Sequence, residues 1–83
     1  MKTKLTKDEL YLCTVCKNVK KDTRRPINRY TIGQLLSQNN KSVDNTVQIL
    51  VKTNFLKRVG DGNDITITQQ GISLVEALGF KID

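Results

Sequence analysis

Phe55-Leu56-Lys57-Arg58-Val59-Gly60-Asp61-Gly62-Asn63-Asp64-Ile65-Thr66-Ile67-Thr68 is the stretch on which the fold turns. β-Branched and aromatic residues fill its two ends, and the turn-forming run Gly60 to Asp64 separates them, which is the pattern of an antiparallel hairpin. Strand alternation leaves open which of Lys57 and Arg58 points outward, because Phe55 and Leu56 both favour burial. After the hairpin, Gln69 to Leu78 reads as a helix capped by Thr68 and ended at Gly79. Leu74, Val75 and Leu78 lie on the side where Gly71 permits close backbone approach. Before the hairpin, Ser42 caps a helix in which Val43, Val47, Leu50, Val51 and Asn54 fall within about 100° on a 3.6-residue wheel and form the buried stripe. Lys41, Asn45, Gln48, Ile49 and Lys52 point away from that stripe.

Further upstream, Thr31-Ile32-Gly33-Gln34 forms a capping box, with Tyr30 and Leu35 in staple positions, and opens a short helix of about seven residues carrying Ile32, Leu35 and Leu36. That helix stops at Gln38-Asn39-Asn40. The first helix begins at a second box, Thr6-Lys7-Asp8-Glu9, flanked by Leu5 and Leu10 as a staple. Leu12, Val15, Cys16 and Val19 recur at three- and four-residue spacing, widened by Tyr11 and Cys13, so one face of residues 7 to about 21 is buried. Between these helices Lys17, Lys20, Lys21, Arg24, Arg25 and Arg29 face Asp22 alone, and Pro26 forbids a helix through Arg25, leaving a basic connector.

The chain has 83 residues of which 37% are hydrophobic, enough for one modest core, so a single domain spanning 1–83 with its core at 5–79 is expected. Fourteen Lys and Arg against eight Asp and Glu give a net charge of +6, which makes polyanions, nucleic acid first, the leading partners. With no His and two Cys, the usual equipment of general base catalysis is missing and an enzyme is not expected. Two cysteines cannot frame a secreted scaffold, and Met1-Lys2-Thr3-Lys4 leads into no apolar run, so the expected location is cytoplasmic, with no membrane partner. Cys13-Thr14-Val15-Cys16 matches a metal-binding spacing, yet a zinc site needs four ligands; the pair is read as core cysteines, and no metal or other cofactor is expected. Asp61, Asn63 and Asp64 lack the spacing and terminal Glu of a calcium loop and are read as a turn.

Long helix, short helix, tight turn, amphipathic helix, hairpin and helix is an order that resembles a winged helix-turn-helix domain over residues 5 to 79. Tyr30-Thr31-Ile32-Gly33-Gln34-Leu35-Leu36 resembles that family's step from strand into helix. Phe55-Leu56-Lys57-Arg58 followed by Ile67-Thr68-Gln69-Gln70-Gly71 is similar to the wing of multiple-antibiotic-resistance-type regulators, and Thr68-x-x-Gly71 is the most specific piece. The resemblance implies an α+β fold of helices with a small antiparallel hairpin wing. It also implies double-stranded DNA as partner, with helix 43–53 in the major groove and wing 55–68 on the backbone or in the minor groove.

On that placement Asn45 and Gln48 offer amides matching the adenine edge, Ile49 meets a thymine methyl, and Lys52 reaches phosphate or guanine. On composition alone the same polar face is merely solvated. Lys41 belongs to this face, Thr31 and Ser42 place helix N-termini where phosphates bind, and Lys57, Arg58 and Asn63 supply the wing contacts. The basic run Lys17 to Arg29 either flanks the DNA or is a solvated face. A small transcriptional regulator or a phage or mobile-element replication accessory factor is the expected role, with a winged-helix adaptor for a regulatory or replication protein as the alternative. A sensor role is disfavoured, since small-molecule sites need roughly 300 Å³ or more. A homodimer is expected to form through Phe80 and Ile82 and the stripe of the first helix, unless that tail folds back on its own chain.

Overall fold

The computed structural model describes residues 5–19 and 25–79. Within them the chain runs α1 (Lys7–Val19), β1 (Ile27–Asn28), α2 (Arg29–Leu35), α3 (Asn40–Lys52), β2 (Leu56–Val59), β3 (Asp64–Ile67) and α4 (Gln69–Ala77). The described strands form one antiparallel sheet in the order β1-β3-β2, so the domain is α+β. β2 and β3 are the expected hairpin, in the register Leu56 with Ile67, Lys57 with Thr66, Arg58 with Ile65 and Val59 with Asp64. The step from strand into helix that the resemblance implied at Tyr30 comes slightly earlier: β1 sets Ile27 beside Ile65 and Asn28 beside Asp64 on the other edge of β3.

α1 is the centre of the molecule and touches α2, α3, α4, β1 and β3. Its start is the expected capping box: the Thr6 amide donates to Glu9 Oε1 at 2.8 Å and the Glu9 amide to Thr6 Oγ1 at 3.1 Å. Tyr11, Leu12 and Cys13 are all fully buried. Three consecutive helical residues span about 200° around the axis, so the buried face of α1 is the wide one expected, with Leu12, Val15, Cys16 and Val19 broadened by Tyr11 and Cys13. Leu10 is the exception; it is 40% exposed, and the staple does not draw it inward. Cys13 and Cys16 are buried thiols of this core.

Two helix starts differ from expectation. α2 begins at Arg29, capped by Asn28, whose side-chain oxygen accepts from the Tyr30 amide at 2.8 Å. Because Ile27 and Asn28 pair with β3, the chain leaves the sheet at Asn28, and the nearest oxygen able to cap is there rather than at Thr31, which lies inside the helix. Of the apolar residues expected to be carried inward, Ile32 is buried and Leu36 packs on the core, but Leu35 is 60% exposed. α3 is capped by Asn39, which accepts from the Ser42 amide at 2.8 Å, so Ser42 is the third helical residue and not the cap. Its buried face is Val43, Thr46, Val47 and Leu50; Val51 is half-buried. Asn54 does not extend that stripe, because the helix ends at Lys52 and Asn54 is exposed with φ of 68°.

The Thr68-x-x-Gly71 motif has a direct physical account. Thr68 Oγ1 accepts from the Gly71 amide at 3.0 Å, which caps α4, and donates to the Asn54 carbonyl at 2.7 Å. The Thr68 amide donates to the Phe55 carbonyl at 3.1 Å, so one residue ties the start of α4 to the chain just before β2. A Cβ on Gly71 would collide with that same Phe55 oxygen and lie 2.6 Å from Ile67 Cγ1. Gly79 follows α4 with φ of 78°, the helix stop expected there. Among the described residues no helix is long and apolar enough to cross a membrane.

Candidate nucleic-acid interface

α3 is the best-defined surface element. With Val43, Thr46, Val47 and Leu50 fixed against the core, Lys41, Asn45, Gln48, Ile49 and Lys52 are all exposed. Their spacing of four, three, one and three residues puts them in one stripe along the helix, about 16 Å long at 1.5 Å per residue. Ile49, 48% exposed, is an apolar side chain set between amides and cations. At the head of the helix Ser42 is half-buried, and its Oγ and the neighbouring Gln38 Oε1 are buried atoms without hydrogen-bond partners.

β2 packs against α3 and is an edge strand. Lys57 and Arg58 are both exposed, which answers the question alternation left open. Leu56 alone of the strand is fully covered; by alternation Arg58 shares its face and stands opposite the buried Ile65, yet on the edge strand it lies outside the cover that protects the central β3. Asn63 is exposed in the turn. Thr31 is exposed on α2, and because it lies inside the helix its place is not the helix's capping position.

The basic run divides. Lys17 and Arg25 are exposed, while Lys20, Lys21 and Arg24 fall outside the described residues, as do Phe80 and Ile82 of the expected dimer seam. The apolar stripe of α1 is consumed by its own chain except at Leu10. Arg29 belongs to no solvated face, since it is only 8% exposed. Its amide donates to the Asn63 carbonyl at 3.0 Å and its Nε reaches the same oxygen at 3.4 Å. Nη1 lies 3.6 Å from Asp44 Oδ1, and the Tyr30 hydroxyl donates to that oxygen at 2.8 Å. Hydrogen bonding to the Asp44 carboxylate, with some burial, raises the Tyr30 phenol above its ordinary pKa. Below, the buried Tyr11 hydroxyl donates to the Arg29 carbonyl at 2.8 Å.

Sequence reasoning missed Asp44 and the burial of Arg29. One signal was present: Asp44 is the lone acidic residue between Asp22 and Asp61, on a helix otherwise bearing amides and cations. An acid kept in such a place invites the question of which cation holds it. Among the described residues no group of three or more His, Cys, Asp or Glu comes together as a metal site. No protein-family model, curated protein or solved structure matches this chain, so the reading of its surface rests on its own geometry.

Proposed function

We propose that the chain is a winged helix-turn-helix domain that binds double-stranded DNA, with α3 in the major groove and the β2–β3 hairpin as a wing along the backbone or minor groove. The observation that carries this reading is the α3 stripe: Lys41, Asn45, Gln48, Ile49 and Lys52 are exposed together on a helix whose other face is buried, beside the exposed Lys57 and Arg58. A major groove about 12 Å wide admits one helix, and Asn or Gln amides match the paired acceptor and donor of adenine. Ile49 then meets a thymine methyl, which favours sites rich in A and T. Lys41, Lys52, Lys57 and Arg58 serve phosphates, which position the domain without specifying sequence.

The net charge of +6 supports the same partner. Small winged-helix domains of this kind act as transcriptional regulators or as replication accessory factors of mobile elements, and those are the roles we assign to the class. Fluorescence anisotropy with duplex DNA tests the reading. Four phosphate-neutralising cations predict a slope of log K against log salt of roughly −3 to −4, or about a hundredfold loss between 50 and 200 mM salt. Asn45→Ala and Gln48→Ala each weaken a selected site by about 1–3 kcal/mol beyond their effect on random duplex. Absent binding at low salt, or binding flat with salt, rejects DNA and favours a protein partner for the same face.

A further inference from the structure

We propose that Arg29 and Tyr30 are positioning residues that lock the tip of the β2–β3 hairpin to α3, with Asp44 as the anchor on the helix. The hairpin is well held at its base, where Leu56 and Ile67 are buried and Thr68 bonds to the Asn54 and Phe55 carbonyls. Toward the tip its backbone is paired by β1 at Asp64 and Ile65, but the side chains of residues 60 to 64 are exposed, and a Cβ at Gly60 or Gly62 would have nothing within 4 Å. Beyond that pairing, the Asn63 carbonyl takes two donors from one residue, the amide and the Nε of Arg29. The far end of the same guanidinium pairs with Asp44 on α3, and the next residue, Tyr30, hydrogen-bonds the same carboxylate oxygen.

The burial of Arg29 makes this a strut and not a phosphate ligand. At 10% exposure the side chain has little surface to offer a polyanion, and its donors are directed at Asn63 and Asp44. Asp44, half-exposed beside Asn45, would by itself repel phosphate; paired with a cation and a phenol, its charge is offset where it stands. The geometry has leverage. A four-residue strand is about 13 Å long, so a swing of about 5° moves the hairpin tip by about 1 Å relative to the stripe on α3.

The consequence for DNA rests on the proposed function, whereas the mechanical tie does not, so the test has two arms on the full chain. Asp44→Asn is isosteric and keeps an acceptor for Tyr30 but removes the charge that holds Arg29. Tyr30→Phe removes only the hydroxyl. The first arm, without DNA, measures hydrogen exchange at the Arg29 amide and 15N order parameters over residues 60–64, with the α1 amides as internal reference. Both variants are expected to speed exchange at Arg29 by about tenfold relative to α1 and to lower order at the tip. Unchanged exchange and order in both overturn the strut.

The second arm compares a selected site with random duplex. Removing the Asp44 charge strengthens binding to both DNAs alike, so charge alone leaves their ratio fixed, whereas a displaced tip lowers the ratio by about threefold or more. A ratio unchanged in both variants, with the wild-type chain binding DNA, overturns the role in recognition. If the wild-type chain binds no DNA, the reading of the function fails and the exchange arm alone decides the strut.

Discussion

Replacing Gly71 by Ala sets two well-defined effects against each other. In a helix Ala is favoured over Gly by at most about 1 kcal/mol, so propensity alone predicts a more stable protein. The structure predicts the opposite. The added methyl would collide with the Phe55 carbonyl oxygen and stand 2.6 Å from Ile67 Cγ1, where carbon atoms normally keep about 3.5–4.0 Å. α4 has to retreat by about 1 Å, and overpacking of this kind costs about 1–3 kcal/mol. The retreat also stretches the bonds from Thr68 to the Asn54 and Phe55 carbonyls, each worth about 1 kcal/mol. The net expectation is a loss of about 1–3 kcal/mol, and each kcal/mol lowers the melting temperature of a domain this size by about 4–8 °C. Urea titration followed by circular dichroism measures it, with Gly62→Ala as the control, since nothing lies within 4 Å of a Cβ there and a change within about 0.5 kcal/mol is expected. A Gly71→Ala chain as stable as wild type, or more so, would refute the claim that close approach is why glycine occupies this position.

Tyr11→Phe leaves the Arg29 carbonyl without its buried donor and is expected to cost about 1–3 kcal/mol in the same titration; an unchanged urea midpoint would show that water replaces the bond. Burial pushes the Cys13 thiol from 9.0 up to about 11, and burial also raises Tyr11. Because the unfolded chain ionises these groups first, stability is intact below about pH 9 and falls as pH rises towards 11, by about 2 kcal/mol for Cys13. Cys13→Ala should flatten that alkaline decline, and an equally steep decline would assign it to other groups. Lys57→Ala and Arg58→Ala are expected to leave stability within about 0.5 kcal/mol, weaken selected and random duplex equally, and each reduce the salt slope by about 1. Loss confined to the selected site would move these residues from the backbone to the bases.

Much of the candidate site was readable in the sequence because it depends on a single helix. Once Val43, Val47 and Leu50 face inward, 3.6-residue periodicity dictates that Lys41, Asn45, Gln48, Ile49 and Lys52 face out, and all five do. The hairpin was readable for the same reason, since Gly60 to Asn63 can close it without help from elsewhere. The place of Lys57 and Arg58 was harder, because alternation assigns a residue to a face and says nothing of where the cover over that face stops.

Local chemistry by itself determined the first capping box, the Thr68 cap and the Gly79 stop, since donor and acceptor there lie within a few residues of each other. Tertiary structure decided where α2 begins and what Arg29 does. A capping signal at Thr31 is complete in sequence, yet it gives way once Ile27 pairs with Ile65 and the chain must turn at Asn28. A run of cations likewise looks uniform until the fold sets one of them between Asn63 and Asp44. Burial of a charge requires partners brought from distant parts of the chain, and only the packed structure brings them within reach of Arg29.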